Sequence, residues 1–386
     1  MRPSPAPSSR SGSAACSIAD TSASPADTVH IVARDTRPLA ARQRVRTLTR
    51  VDCEGILLPE LATSWRKNDS ATVWTFELST NAASIAAAWQ RTRGTPRAWP
   101  HVIDVQAMTP ATARIEFDRP EPDGPAVMSD PRYGLAIDSN RAHPAVVFVD
   151  APANTDLRDV LDRGLPNAGV RRADVLITRN PEVLAYAARG GAYRSVTLPW
   201  DRTYVLVAPG GDSMAVPTPV ERDALARDAV QSEARSADPP FWWQHDSTCA
   251  DTVDRAASVA TVVGYAAGDS IARQLAERIV ALATSPNVPP WIPQGMTTDP
   301  AAPLRAVSFP ADSLDAAIAA GRIVAAVTAY PRVQPAACGA TARIPAGWMR
   351  IPLVESRAHA LVRHDSGVRF EVDGDGTIRV VQGGQP

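Results

Sequence analysis

Strand-forming and helix-forming patterns follow each other along most of this chain, and one unit near its start is regular enough to constrain the fold. Residues 73–78 read VWTFEL, in which β-rich side chains alternate with polar ones as in a half-buried strand. The Asn-Asp-Ser sequence at 68–70 predicts a tight turn before it. A helix with Ile85, Ala88 and Trp89 on one face follows. The pattern predicts a hairpin packed against a helix, an arrangement that by itself indicates no function.

The order of residues from 54 to 117 resembles the amino-terminal signature of the family 5 extracellular solute-binding proteins, the peptide- and nickel-type receptors of bacterial ABC transporters. The positions that match are Pro59, Leu61, Ala62, Ser64, Trp65, Trp74, Phe76 and Leu78. The resemblance covers most of residues 28–386 and is thinner in the middle of the chain. It implies an extracytoplasmic solute-binding component of an ABC-type importer, which binds a small molecule or short peptide and delivers it to a permease.

The resemblance also implies the fold, which is α/β with the two lobes of a type II periplasmic binding protein. The first lobe would be discontinuous, with residues 28–210 and 346–386, and the second would hold residues 211–345. The periodicity agrees, because strand and helix patterns alternate from about 258 to 327, as in a mainly parallel sheet covered by helices. Hinge closure around the ligand would form the surface that a permease recognises. We expect a monomer without a cofactor.

Charge and hydropathy narrow the possible partners. The formal net charge of the 386 residues is −1, which gives no general attraction for nucleic acid or for an anionic membrane. No run of about 18 apolar residues occurs, so no membrane-spanning helix is expected. We therefore predict a membrane connection only through a lipid anchor.

The candidate for that anchor is Cys16. Residues 1–27 are rich in Ser, Ala and Pro and are predicted to be disordered. Within them, Ser13 to Cys16 resembles the end of a bacterial lipoprotein signal, but the apolar segment that should precede it is missing. Either the true start lies upstream of Met1 and Cys16 is lipidated, or Cys16 is a chance cysteine. With the resemblance, the first alternative places the protein in the periplasm or at the cell surface.

The other cysteines are Cys53, Cys249 and Cys338. Cys249 and Cys338 both lie in proline-rich loops of the second lobe, and in an oxidising compartment they are the first candidates for a disulfide. Two buried thiols are the alternative.

Two motifs raise the question of an enzyme. Residues 373–377 read DGDGT, as in phosphatases of the haloacid dehalogenase type, but that motif belongs after the first strand of a Rossmann-like domain, and here only nine residues follow it. Strand patterns on both sides favour a hairpin turn containing Asp373 and Asp375. His359 and His364, the closest histidine pair, lack the neighbours of a metal site. We expect no catalytic residues and no metal.

Aromatic residues beside predicted strand ends are candidates for the ligand site, because aromatic faces commonly line such clefts. They are Trp200, Tyr204, Trp242, Trp243 and Tyr330. Core packing is the alternative for each of them.

The clearest departure from the family lies at residues 327–335. Family members often have an Asp that pairs with the free amine of a peptide where this chain has Ala329, and Arg332 stands where a second acidic residue is common. The change favours an anionic or carboxylate-bearing ligand, with Arg332 among the binding residues. It also leaves open a degenerate binding module, a sensor or scaffold that does not take part in transport.

Overall fold

The computed structural model describes residues 16–18, 28–93, 99, 101–136, 145–210, 216–230, 233–239, 241–245, 252–253, 261–293, 296, 303–310, 313–332, 344–366 and 369–381. The helices are α1 (Arg37–Gln43), α2 (Ala82–Thr92), α3 (Gly124–Val127), α4 (Leu157–Arg163), α5 (Pro181–Gly190), α6 (Pro219–Val230), α7 (Trp242–His245), α8 (Ser270–Ala283) and α9 (Leu314–Ala319). No helix in these ranges is long and apolar enough to cross a membrane.

The strands are β1 (Ser17–Ile18), β2 (Thr28–Ala33), β3 (Val45–Arg46), β4 (Thr49–Val51), β5 (Leu57–Pro59), β6 (Ala62–Lys67), β7 (Val73–Leu78), β8 (Val102–Thr109), β9 (Thr112–Phe117), β10 (Leu135–Ala136), β11 (Ala145–Asp150), β12 (Val175–Thr178), β13 (Tyr193–Pro209), β14 (Ala234–Ser236), β15 (Thr252–Val253), β16 (Val262–Ala266), β17 (Arg305–Phe309), β18 (Ala325–Pro331), β19 (Ile344–Pro345), β20 (Trp348–Arg363), β21 (Arg369–Val372) and β22 (Ile378–Val381).

The amino-terminal hairpin and helix form as the sequence predicts. Strand β7 alternates buried and half-buried residues and lies between β6 and β9 in a four-stranded antiparallel sheet. Helix α2 packs Ile85 and Trp89 against this sheet, with both side chains buried. Its N-cap is Asn81, whose side chain accepts a hydrogen bond from the backbone N–H of Ala83. The unit therefore has a core of its own.

The central sheet joins two groups of parallel strands. Its order is β11-β2-β12-β20-β13-β18-β16-β17, with β14 paired to β20. We call β11, β2 and β12 the first strand group, and β18, β16 and β17 the second. The long strands β13 and β20 connect the groups, and we call them the crossing strands. One half of each crossing strand lies beside the first group and the other half beside the second.

The strand directions decide where the loops meet. Strand β12 is antiparallel to β20, and β20 is antiparallel to β13, so β12 points the same way as β13, toward the second group. Strand β18 is antiparallel to β13 and therefore points back toward the first group. The carboxyl ends of both groups are thus directed at the middle of the crossing strands. In open α/β sheets, loops at carboxyl ends are where ligands bind.

The crossing strands are irregular at this middle. Their pairing register shifts between Thr197 and Trp200, between Trp200 and Arg202, and again between Tyr204 and Val205. On either side the pairing is regular and the residues are buried in separate apolar clusters. Such bulges interrupt the hydrogen-bond ladder and bend a strand. The sheet is therefore weakest between its two groups.

The amino-terminal segment differs from the prediction. Cys16 forms a disulfide with Cys53, and β1 pairs with β21 of the terminal hairpin. The prediction of disorder over 1–27 is therefore wrong for residues 16–18, because the disulfide and the strand pairing hold them. A sulfur atom in a disulfide carries no lipid thioether, so Cys16 is not the lipid anchor in this structure. Cys249 and Cys338 lie outside the described residues.

The DGDGT motif forms the turn between β21 and β22, as the hairpin interpretation predicts. The backbone N–H of Asp373 donates to Thr377, and Gly376 takes the left-handed backbone that this turn requires, with φ of 81°. Asp373 is buried and ion-paired with Arg50 and Arg379. The motif is thus part of a structural ion-pair network.

Candidate functional site

The loops that follow the two strand groups approach each other directly. Gly268 follows β16 and has a left-handed backbone with φ of 81°, and a Cβ atom placed on it would lie 3.7 Å from the Cβ of Ala153, in the loop after β11. The two carboxyl ends therefore face each other across a narrow space, which the middle of the crossing strands borders.

Charged groups from both sides of this space surround the guanidinium of Arg202, which lies in β13. Burial lowers the pKa of its guanidinium, but Tyr204 and the carboxylates of Asp201, Asp269 and Asp35 raise that pKa by more. Asp35 follows β2 of the first group, and Asp269 follows β16 of the second. About 35% of the Arg202 side chain is nevertheless exposed, so it faces open space. Its guanidinium makes no hydrogen bond to any described residue, and its ion contact with Asp201 is long, at 4.0 Å.

A second arginine lies beside it. Arg179, at the end of β12, is ion-paired with Asp201 through its terminal nitrogen. The Nε atom of Arg179 and the Oδ1 atom of Asp201 are both buried, and neither has a hydrogen-bond partner within the described part of the chain. One donor and one acceptor are thus unsatisfied beside Arg202.

Tyr204 supports the opposite side of the space instead of forming an open surface. Its ring is 1% exposed in the core, and its hydroxyl donates to the carboxylate of Asp269, with O–O distances of 2.9 and 3.0 Å. Burial and the charge of Asp269 raise the pKa of Tyr204. Asp269 also caps α8, accepting from the backbone N–H groups of Ile271 and Ala272. Tyr204 therefore follows the core-packing alternative.

Three of the predicted aromatic residues form one cluster. Ring centroids lie 5.5 Å apart between Trp242 and Trp243, 6.1 Å between Trp242 and Tyr330, and 5.3 Å between Trp243 and Tyr330. Tyr330 is 2% exposed, and Trp242 donates to the carbonyl of Pro331 at 2.8 Å. The cluster packs against the core between β13, β18 and α9. The cluster covers the carboxyl end of β18 in the second strand group.

Trp200 lies apart from that cluster and is in contact with two cations. The guanidinium groups of Arg235 and Arg357 are each 4.7 Å from its ring centroid. Its ring is therefore engaged within the protein, between β14 and the crossing strands.

Arg332 is also paired within the protein. Its Nε atom is 2.9 Å from Oε1 of Glu355, a buried carboxylate whose other oxygen accepts from Arg235 at 2.8 Å. Ala329 pairs with Tyr204 across the sheet and is half-buried. The charge on which the sequence prediction of an anionic ligand rests is thus offset by Glu355.

Comparisons with known proteins identify the fold of this chain. No protein-family model matches the chain, and no curated protein matches its sequence. Solved structures do match over nearly the whole length. NikZ from Campylobacter jejuni, solved with Ni(L-His), is similar with a TM-score of 0.58 and 10% identity over 92% of this chain and 98% of its own. DppA from Helicobacter pylori, solved with peptide STSA, has a TM-score of 0.53 and 8% identity over 92% and 98%.

AgaA from A. tumefaciens R10, solved with agropinic acid, has a TM-score of 0.53 and 10% identity over 92% of this chain and 99% of its own. The chain has the type II periplasmic-binding-protein fold. The resemblance seen in the sequence is thereby confirmed at the level of the fold.

In the periplasmic-binding-protein fold of this chain, the residues that border the open space were not among those predicted from the sequence. Short apolar runs lie beside Arg179 and beside Asp201 and Arg202. The Asp-Arg pair just before the apolar strand sequence TYVLVA is the sequence feature that could have indicated this site. The sequence pattern favoured aromatic residues at strand ends because aromatic faces commonly line ligand clefts. The structure shows that most of those aromatic residues pack inside.

A pair between the segment before β14 and the crossing strand β20 makes the fold sensitive to acid. Glu233 precedes β14, and its carboxylate accepts from His359 Nε2 at 2.6 Å and from Arg357 at 3.1 Å, while His359 Nδ1 lies 3.0 Å from Ser195 Oγ. Burial raises the pKa of Glu233, but His359 and Arg357 lower that pKa by more. The stabilisation is therefore present above the ordinary pKa of the glutamate and is lost as the pH falls through its lower value in the folded protein.

We expect Glu233→Gln to lose less free energy of unfolding than the native chain when the pH falls below about 4.3. Denaturant unfolding at a series of pH values measures this. Glu277→Gln is the matched control, because Glu277 forms an exposed pair with Arg273. Equal acid sensitivity in native chain and Glu233→Gln would contradict the assignment.

Proposed function

We propose that this chain is a divergent family 5 solute-binding protein, the extracytoplasmic receptor of an ABC-type importer. The observation that carries the proposal is the pair of strand groups whose carboxyl ends face each other across the partly exposed side chain of Arg202. The similar structures are those of binding proteins, and their ligands differ: a nickel–histidine complex, a peptide and agropinic acid. The fold therefore supports a small solute or short peptide as the class of ligand.

In this proposal one lobe is built on the first strand group and the other on the second, so the sequence-based bounds of residues 28–210 with 346–386, and residues 211–345, move into the middle of β13 and β20. The irregular middle of the crossing strands is the hinge, since the two sides have separate cores and the register breaks lie between them. The loops at Gly268 and Ala153 already lie in contact, as in the closed arrangement of such a hinge over a ligand. The protein acts as a monomer, and the closed form is recognised by the permease.

The Cys16–Cys53 disulfide supports an oxidising location, because such bonds persist outside the reducing cytoplasm. We propose the periplasm or the cell surface. Attachment through a lipid on Cys16 is not part of this proposal, because the disulfide uses the same sulfur atom.

A second candidate function is a binding-like module that senses or scaffolds without transport. The observation that favours it is the pairing of Arg332 with Glu355 together with Ala329, which removes the charged anchor near the end of β18. A module of this kind would keep the fold and bind none of the ligands with which the similar structures were solved.

A thermal-shift screen separates the two. The purified full chain would be melted with short peptides, amino acids, dicarboxylates, sugars and nickel–histidine. A ligand at one hundred times its dissociation constant adds about 2.7 kcal/mol to the free energy of unfolding, which raises Tm by several degrees. A cooperative melt that no compound shifts would favour the module.

A further inference from the structure

We infer that the ligand carries a carboxylate, and that Arg202, assisted by Arg179, binds it in the space between the two strand groups. This inference rests on the proposed function and names the chemistry of its site. It moves the anionic site from Arg332, which is paired with Glu355, to the hinge.

The first argument is the number of free donors. A guanidinium has five N–H donors in a planar fork that matches an oxyanion. The guanidinium of Arg202 makes no hydrogen bond to the described residues and is partly exposed, and Nε of Arg179 is buried without a partner among them. A buried donor of a charged group without a partner is costly, which applies to Nε of Arg179. Both arginines can therefore donate to an acceptor on a ligand.

The second argument is that two of the nearby carboxylates, those of Asp35 and Asp269, are already satisfied. Asp35 accepts from Arg37 at 3.0 Å through Nε, at 3.4 Å through a terminal nitrogen and at 3.2 Å through the backbone. Asp269 accepts from Tyr204 and from the amino terminus of α8. A cationic ligand would have to compete with these bonds. An anionic ligand would find free N–H groups.

The third argument concerns the type of oxyanion. Asp201 lies against both arginines, and the charge of Asp269 also acts on Arg202. Their negative charges penalise a doubly charged phosphate more than a singly charged carboxylate. The free Oδ1 of Asp201 can in addition accept from a donor on the ligand next to its carboxylate. A small organic carboxylate fits this balance better than phosphate.

The location also couples binding to closure. The surroundings of Arg202 include Asp35 from the loop after β2 and Asp269 from the loop after β16, and the residue itself lies where the register of β13 shifts. A carboxylate on Arg202 would contact the hinge and lie within reach of both loops. Its binding would therefore favour the closed arrangement.

The test uses matched pairs of probes on the full chain. The pairs are succinate with succinamide, N-benzoylglycine with its amide, and alanyl-alanine with its amide, and inorganic phosphate is a separate arm. Thermal shift identifies binders, and calorimetry then gives Kd for the native chain, Arg202→Gln, Arg202→Lys and Arg305→Gln. Arg305 is an exposed arginine in β17 and serves as the control.

We expect at least one acid to raise Tm while its amide does not. We expect Arg202→Gln to weaken that acid about 10- to 100-fold, the effect of a lost charge-assisted hydrogen bond. Arg202→Lys keeps the charge but loses the planar set of N–H donors, so it should weaken binding less than Arg202→Gln. It replaces Arg202→Gln if that variant does not fold. Arg305→Gln should bind as the native chain does.

Equal shifts from an acid and its amide, or native affinity in Arg202→Gln, would overturn this inference and leave the receptor function standing. A phosphate shift that exceeds those of all carboxylates would overturn the assignment of a carboxylate. If the carboxylates fail and a sugar or nickel–histidine binds, the receptor function stands and the carboxylate does not. If nothing binds, both proposals fail.

Discussion

Loss of the Cys16–Cys53 disulfide is expected to lower the free energy of unfolding by about 3–4 kcal/mol, from the loop-closure entropy of its 37-residue separation. The bond holds β1 at the edge of β21 and connects it to the segment beside Val372, which accepts from the backbone N–H of Cys53. Without it, a two-residue strand has too few hydrogen bonds to remain paired. Denaturant unfolding of Cys16→Ser measures the change.

The control is the set of three variants Cys16→Ser, Cys53→Ser and the double variant. If the two sulfurs act only as a pair, the double variant costs no more than either single variant. Additive losses, or no loss at all, would show that the bond is absent. Alkylation followed by mass spectrometry distinguishes the lipid alternative, since lipidation of Cys16 would leave Cys53 as a free thiol.

Asp373→Asn is expected to lower the free energy of unfolding by about 1 kcal/mol, because it removes a hydrogen-bonded carboxylate between two partly buried guanidiniums. Arg50 pairs with Asp373 at 3.0 Å, and Arg379 pairs with it at 2.5 Å. Burial raises the pKa of Asp373 in spite of both arginines, and Glu371 and Glu60 remain as their partners. These two facts place the expected loss below the roughly 3–5 kcal/mol that breaking a buried pair costs.

Asp159→Asn is the control for this variant, since Asp159 forms an exposed pair with Arg163 and should cost about 0.5 kcal/mol or less. Equal losses in the two variants would contradict the network.

The same protein samples test the enzyme alternative. Hydrolysis of p-nitrophenyl phosphate that disappears in a folded Asp373→Asn variant would make the DGDGT sequence catalytic, whereas we expect no such activity.

Local pattern was sufficient for several elements of the fold. The alternation in VWTFEL predicted β7, and the turn at 373–377 forms where its residue types place it. These features depend on neighbours within a few residues, which a sequence displays directly. The resemblance at 54–117 supplied the class of fold, because many positions matched in order.

The disulfide could not be predicted in the same way. Cys16 lies in a segment of low complexity, and only the pairing of β1 with a strand more than 350 residues later brings it to Cys53. The ligand site has the same origin. Arg202 is one of many arginines in the sequence, and its free donors become visible only when Asp35 and Asp269 are brought around it by two different strand groups.

The sequence by itself determined the order of strands and helices, the hairpin turns and the class of fold, because periodicity and turn chemistry act over short distances. Only the tertiary structure decided which aromatic residues are buried, which arginines are already paired and which face open space. Pairing and burial depend on contacts between residues far apart in the chain, and no local pattern records those contacts.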